Sequence, residues 1–281
     1  MTLSTAFRAP VETDAVTVVV ATRNRHDRLR ETVPRHRARV VLVDNASDTP
    51  PPEFPGAELI RLDENRGAAA RNAGVERART PYVAFADDDS YWAPGSLARA
   101  AGLLRAHPRA ALLTARVLVG PEGRLDSISA AMARSPLGTP PGAAGPAVLG
   151  FLSCAVVVRR SAFLAVGGFQ PRLFVYGEEA LLAMDLAAVG HELSYVPELT
   201  VRHLPLPAGR DTGTRRRREA RNRVLTALLR RPPAVVARVA AGALWDSPAG
   251  VAAVVRDLPW ALRHRRPLPP EVEADLRRLT G

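Results

Sequence analysis

Lysine is absent from this chain of 281 residues, so all 39 basic side chains other than histidine are arginine. The one cysteine, Cys154, excludes an internal disulfide, and its place in the apolar run Leu152–Val158 reads as a buried thiol. Aromatic residues make up only 5%. No unbroken apolar run of about 18 residues occurs, which argues against a membrane-spanning helix. Met1 to Asp14 carries no basic cluster followed by an apolar run, so no secretory signal is read there and the cytoplasm is the expected compartment. A Gly-x-x-x-x-Gly-Lys-Ser/Thr loop is also missing, which argues against a P-loop NTPase.

What remains is enough to build a core. Hydrophobic residues are 47% and charged residues 24% of the chain, ordinary values that rule out disorder throughout. The net charge is +11, and it is unevenly spread. Residues 204–281 hold 16 arginines against 7 acids, which leaves the preceding body near neutral. A basic C-terminal part suggests an anionic surface: a membrane, a nucleic acid or a phosphorylated substrate. A solvated helix face is the plainer alternative.

Short apolar runs at Val16–Ala21, Val40–Val43, Leu59–Leu62 and Tyr82–Ala86 read as strands. Helix-compatible stretches at Asp27–His36, Ala68–Ala78 and Gly95–Ala106 alternate with them. This predicts an α/β fold with a mostly parallel sheet flanked by helices, where ligands bind beyond the carboxyl ends of the strands. Polar clusters follow those ends: Thr22-Arg23-Asn24, Asp44-Asn45 and Asp87-Asp88-Asp89. Further strands are expected at Ala110–Val119 and Ala155–Arg159, with extended pieces at Leu193–Val196 and Leu199–His203. Ser135–Gly150 reads as a mobile loop, and Glu178–Val189 as a helix. Beyond Pro205 come basic, proline-punctuated helices at Thr214–Arg230, Pro233–Leu244, Pro248–His264 and Pro270–Leu279. The expected organisation is a tail over 1–15, a catalytic domain over 16–208 and a helical extension over 209–281.

Three consecutive carboxylates at a strand end are costly unless neutralised, and a divalent cation (Mn or Mg) would relieve their repulsion. Alternation along an extended segment would let Asp87 and Asp89 converge while Asp88 points elsewhere. The alternative is an acidic loop capping the helix that begins near Pro94. Asp44 is placed to accept from a base N–H or a ribose. Arg66 and Arg71, with backbone amides, are placed to meet a diphosphate. Together these residues describe a pocket for a nucleoside diphosphate. Trp92, just past the triplet, is a candidate face for an acceptor sugar.

These segments resemble the inverting nucleotide-sugar glycosyltransferases of family 2, which have the GT-A fold. The resemblance rests on Val16–Asn24, Val41–Ser47, Glu64–Gly74, Tyr82–Asp89 with Pro94–Leu97, Gly167–Phe169, Tyr176–Glu179, Val201–His203 and the pair Arg221-Asn222. It implies that Asp44 contacts the base and that Thr22 and Asn24 line the nucleotide floor. It also implies that Asp87 and Asp89 are the outer acids of an Asp-x-Asp metal motif, with Asp88 beside the nucleotide sugar. His203 resembles a histidine that completes the metal or diphosphate shell. The family commonly has Glu-Asp where this chain has Glu178-Glu179, so Glu179 inherits the role of base, with Glu178 as the alternative.

Such an enzyme has a carboxylate that takes the proton of an acceptor hydroxyl, and cations that meet the leaving diphosphate, in one inverting displacement. The expected donor is a UDP or dTDP sugar, and the acceptor a glycan, a lipid-linked glycan or a small molecule. A homodimer and an anionic membrane surface are further partner readings, and nucleic acid is not an expected partner. The competing functions are a nucleotidyltransferase and a non-catalytic nucleic-acid binder that uses the arginine-rich C-terminus. Residues 209–281, with Trp245 and Trp260, are expected to dock on the inner membrane face.

Overall fold

The computed structural model describes residues 11–205 and 212–280. From the start of the chain come β1 (Val16–Thr22), α1 (His26–Thr32), β2 (Arg39–Asp44), β3 (Ala57–Arg61), α2 (Ala70–Arg77), β4 (Tyr82–Asp87), β5 (Ser90–Trp92) and α3 (Ser96–Ala106). The second half contains β6 (Ala110–Val119), β7 (Arg124–Leu125), α4 (Ser127–Ala133), β8 (Val156–Arg159), α5 (Arg160–Ala165), α6 (Glu178–Ala188) and β9 (Glu192–His203). Five helices close the chain: α7 (Thr212–Arg230), α8 (Pro233–Asp246), α9 (Pro248–Ala253), α10 (Leu258–Arg263) and α11 (Pro270–Thr280).

One sheet carries the body, in the order β3-β2-β1-β4-β8-β6-β9-β5, with β7 beside β6. The pairings make β3, β2, β1, β4, β6 and β9 run one way, and β8, β5 and β7 the other. The sheet is therefore mostly parallel, as the alternation of runs and helices predicts. Alternate residues of β1 explain why both faces are covered. Val16, Val18 and Val20 pack with Leu29, Val33, Leu97 and Leu104 on one side. Val19 packs with Val75, Phe163, Leu182 and Leu186 on the other. Val18, Val19 and Val20 are 0% exposed, and each such side chain contributes roughly 1.5–3 kcal/mol.

Several features escape the sequence pattern. β5, β7, α4 and α5 are additional elements. Ser135–Gly150 is fastened rather than mobile: Ala147 N–H donates to the Gly138 carbonyl (2.8 Å), and Tyr195 N–H to that of Pro146 (2.8 Å). Residues 248–264 are not one helix, because a 3₁₀ turn over Val254–Asp257 separates α9 from α10. Residues 11–15 are no loose tail either. The Glu12 carboxylate accepts from the amides of Gly95 (2.7 Å) and Leu97 (2.9 Å), so it caps α3 where its positive end favours an anion. The expected boundary at 208/209 lies outside the described residues.

The C-terminal helices pack on the body through α6. Leu181 meets Val224, Leu225 and Leu229 of α7, and Met184 meets Leu268, Val272 and Leu276 around α11. Ion pairs of Arg230 with Asp185 and of Arg172 with Asp257 (3.1 Å) tie the seam, while Arg231 with Glu273 (2.6 Å) and Arg221 with Asp257 (2.6 Å) join the C-terminal helices to one another. Trp260 is half-buried, stacks on His264 at 5.2 Å and carries the Arg172 guanidinium over its ring at 5.1 Å. No helix among the described residues is long and apolar enough to cross a membrane.

Candidate functional site

Register puts the polar clusters on one edge. Thr22 lies opposite Asp44 and Ala21 opposite Asp87, so β1, β2 and β4 end side by side. The acid triplet does not divide as strand alternation predicts. β4 ends at Asp87 and the backbone turns at 88–89 into β5, so strand alternation stops at Asp87. Asp87 pairs with Arg71, a buried side chain of α2. Asp88 accepts from the Thr22 hydroxyl (3.0 Å), while Asp89 faces His203 Nε2 (3.2 Å). Arg25 lies between them, 4.0 Å from Asp88 and 3.6 Å from Asp89. β9 delivers His203 by pairing it with Ser90.

Electrostatics follow this geometry. Burial, then the Asp89 charge, pushes the Asp88 carboxyl up to about 7. Burial also works against ionised Asp89, but the His203 hydrogen bond and the charges of His203 and Arg25 hold it below the usual range. His203 is raised in turn by that hydrogen bond, against the opposing effect of burial. The buried Cys154 thiol is raised by burial and sits in the core, as the apolar run suggests.

A crowded acidic turn with an adjacent imidazole suits a hard divalent cation. Among the described residues, however, no group of three His, Cys, Asp or Glu side chains is arranged to hold a metal. Asp87, expected to share the ion with Asp89, is turned to Arg71 instead. Of the expected donors, Asp89 and His203 are the two that meet on this turn, oxygen and nitrogen ligands of a kind a divalent cation accepts.

The nucleotide side is more heavily braced than the sequence implies. Asp44 is 0% exposed, accepting from the Ser47 amide (3.1 Å) and Arg61 Nε (2.9 Å). Both Asp44 carboxylate oxygens are thus engaged within the protein, at the end of β2. Asn24, at φ 56°, exchanges side-chain hydrogen bonds with Asp48 (both 2.9 Å). Arg66 is half-exposed beside Glu64 (3.3 Å). Asn45, a missed residue, reaches across to accept from the Arg66 amide (2.7 Å) and to donate to the Gly67 carbonyl (3.1 Å). At Gly67, φ is +58° and an added Cβ would lie 2.2 Å from the Phe174 carbonyl oxygen. That carbonyl accepts from the Ala68 amide (2.7 Å), linking this loop to the segment before α6.

Beyond the sheet edge opens a cleft of about 1080 Å³, lined by Arg71, Asp87, Ser153, Glu178 and Glu179 on the body and by Arg216, Arg223 and Trp245 on the C-terminal helices. Glu178 is buried, and Oε2 has no hydrogen-bond partner among the described residues. Burial and the Glu179 charge push Glu178 up to about 8. Glu179 is half-buried and accepts from the Ser153 hydroxyl (2.9 Å). Trp245 is 92% exposed at the rim. Trp92 is not an acceptor face: it is 1% exposed and its indole donates to the Phe85 carbonyl (3.1 Å).

The segment presenting the two glutamates is strained and clamped. Phe174 and Tyr176 have φ of 66° and 73°, and Gly177 has φ 94°. Asn222 of α7, 0% exposed, directs Nδ2 at the carbonyls of Leu173 (2.8 Å), Val175 (3.0 Å) and Tyr176 (2.7 Å). Arg215 and Arg218 lie over the rings of Tyr176 (5.1 Å) and Phe174 (4.6 Å). Part of the arginine run is thus engaged with this segment rather than simply solvated.

A family model described as Glycosyl transferase family 2 matches residues 17–167. Two curated proteins named pre-mycofactocin glycosyltransferase, from Mycobacterium tuberculosis strains CDC 1551 / Oshkosh and ATCC 25618 / H37Rv, are 34% identical over 200 residues. That match takes in 67% of this chain and 42% of theirs, so the chain spans about two-fifths of the length of these relatives. Among solved structures, the mannosyltransferase PcManGT from Pyrobaculum calidifontis, in complex with GDP-Man and Mn2+, has a TM-score of 0.57 at 20% identity. The match covers 97% of this chain and 88% of that one. S. aureus TarS 1–349 in complex with UDP-GlcNAc has a TM-score of 0.58 at 15% identity, covering 92% and 83%. These likenesses establish the fold as GT-A.

Proposed function

This chain belongs to glycosyl transferase family 2, and from that premise we propose that it moves a sugar from a nucleoside-diphosphate donor to an acceptor hydroxyl with inversion. The donor is of the UDP or dTDP type, the acceptor is a glycan, a lipid-linked glycan or a small molecule, and the basic C-terminal part holds the enzyme at the inner face of a cell membrane. The observation that carries the transfer reading is the pair of glutamates facing the cleft that also holds Arg71 and Asp87.

The two glutamates have different tasks. Burial and the neighbouring Glu179 charge push the Glu178 carboxyl up, which favours Glu179 over Glu178 as base. Glu179, half-buried and oriented by Ser153, takes the acceptor's proton as its oxygen attacks the anomeric carbon. Arg71 meets the departing diphosphate, whereas the amides of Arg66, Gly67 and Ala68 are engaged by Asn45, Asn65 and the Phe174 carbonyl and brace the loop beside it. Asp89 and His203 would hold a divalent cation, whose role is to neutralise charge developing on that diphosphate. With Glu179 as base and no enzyme nucleophile in this scheme, the displacement is single and inverts the centre.

Melting-temperature shifts with UDP-, dTDP- and GDP-sugars in manganese identify the donor. With that donor, Glu179→Gln lowers turnover by ~10² to 10⁴ while donor affinity stays nearly unchanged. If Glu178→Gln has that effect and Glu179→Gln does not, the roles are reversed.

A further inference from the structure

Helix α7 carries two sets of side chains on opposite faces. Arg216, Glu219 and Arg223 look into the cleft. At 100° per residue, Arg217, Arg218 and Arg221 fall on the other side, where they line a second cavity of about 400 Å³ with Arg172, Phe174 and Ala253. Four guanidinium groups thus surround one space. Asp257, which is buried, accepts from Arg172 (3.1 Å) and Arg221 (2.6 Å). Arg218 is stacked on Phe174, and Arg217 has no ion pair among the described residues. One carboxylate against four guanidinium groups leaves the cavity strongly positive. Like charges at this density are relieved by a shared anion, and the planar guanidinium fork matches phosphate oxygens.

What lies beside the cavity indicates where that phosphate comes from. From Ala253 on its wall, the chain continues through Val255 (68% exposed), Leu258 (36%) and Leu262 (56%). Exposed Arg256 and Arg263 are interleaved with these apolar side chains. Val254 and Ala261 of the same stretch are buried in the C-terminal core, which fixes its orientation. Apolar side chains alternating with arginines describe an element that lies in a membrane interface, with the apolar groups among acyl chains and the cations at the headgroups. A free phosphate or a nucleic acid would use the arginines alone and leave Val255 and Leu262 exposed to water.

We infer that this cavity and the 255–263 stretch form one docking surface for an anionic bilayer, with a lipid phosphate seated among Arg172, Arg217, Arg218 and Arg221. The inference deepens the membrane-face localisation proposed above and is independent of the transfer chemistry. Because the cavity and the cleft lie on opposite sides of α7, a docked enzyme keeps its cleft open.

The test is flotation of the full chain with phosphatidylglycerol-containing vesicles, with neutral phosphatidylcholine vesicles, and with the anionic vesicles in excess inorganic phosphate. Binding to the anionic vesicles that falls in high salt is expected, with little recovery on the neutral ones. Arg217→Glu should reduce recovery about tenfold or more, and Val255→Ser with Leu262→Ser should reduce it severalfold. Both variants should keep the wild-type melting temperature and donor turnover. Inorganic phosphate should compete only partly, because it replaces the headgroup and not the acyl contact. If anionic vesicles recover the Arg217→Glu chain as well as wild type, the cavity assignment is overturned while the localisation survives. Full competition by phosphate, or loss in Arg217→Glu with no loss in the apolar double variant, would reduce the site to a simple anion pocket and overturn membrane docking there. Failure of the wild type to float overturns both, and unchanged donor turnover would leave the transferase reading standing.

Discussion

Replacing Asn222 with alanine removes one buried amide that reaches the carbonyls of Leu173, Val175 and Tyr176 at 2.7 to 3.0 Å. Two N–H groups serve three acceptors, and a buried carbonyl left unpaired costs about 1–3 kcal/mol, so a total of about 2–4 kcal/mol is expected. The melting temperature should fall by roughly 5–10 °C. The local effect matters more. Phe174 and Tyr176 hold left-handed conformations that cost about 1–3 kcal/mol each and persist because surrounding contacts enforce them. Without the clamp this segment relaxes and carries Glu178 and Glu179 with it. A shift of about 1 Å at the base is enough for a ~10²-fold loss in turnover. Steady-state kinetics with the identified donor should show that loss in kcat, with donor Kd within about twofold of wild type. Asn222→Asp keeps the shape but aims acceptors at three carbonyls, and should do at least as much damage. If both variants fold and turn over within twofold of wild type, the claim that α7 positions the base is refuted.

His36 is buried without a partner on either ring nitrogen, and burial lowers its pKa to about 4. The unfolded chain therefore binds the extra proton first, so stability present above about pH 6.5 is lost as pH falls toward 4, by about 3 kcal/mol. Melting curves across that window should flatten in His36→Leu. Gly67→Ala forces a Cβ against the Phe174 carbonyl, and should weaken donor binding at least tenfold by displacing the loop whose Ala68 lines the cleft beside Arg71. Isothermal titration with the donor checks it.

The sheet was legible because β1, β2 and β4 are short β-branched runs separated by helical spacing, and their polar ends share an edge once the pairing is parallel. The acid triplet was legible as a site but not in its geometry. Alternation holds only while the strand continues, and the turn at 88–89 sends Asp87 to Arg71 and Asp89 to His203. Trp92 misled for the same reason: β5 is three residues long and turns the indole toward Phe85. Glu12 gave no signal, since its partners at the start of α3 lie 83 to 86 residues away. The pair Arg221-Asn222 stood out in the sequence, but the carbonyls it holds come from a different element. Apart from 248–264, which a 3₁₀ turn divides, the C-terminal helices were legible, yet which of their arginines are neutralised depends on Asp185, Asp257 and Glu273, partners set only by packing.

The central claim is a single displacement at the anomeric carbon with Glu179 as its base. Proton NMR of the sugar released in the first minutes of donor turnover, with water or the identified acceptor as nucleophile, tests it most directly. The account predicts a product whose anomeric configuration is opposite to the donor's, formed by wild type and nearly absent with Glu179→Gln. A product that keeps the donor's configuration would contradict it.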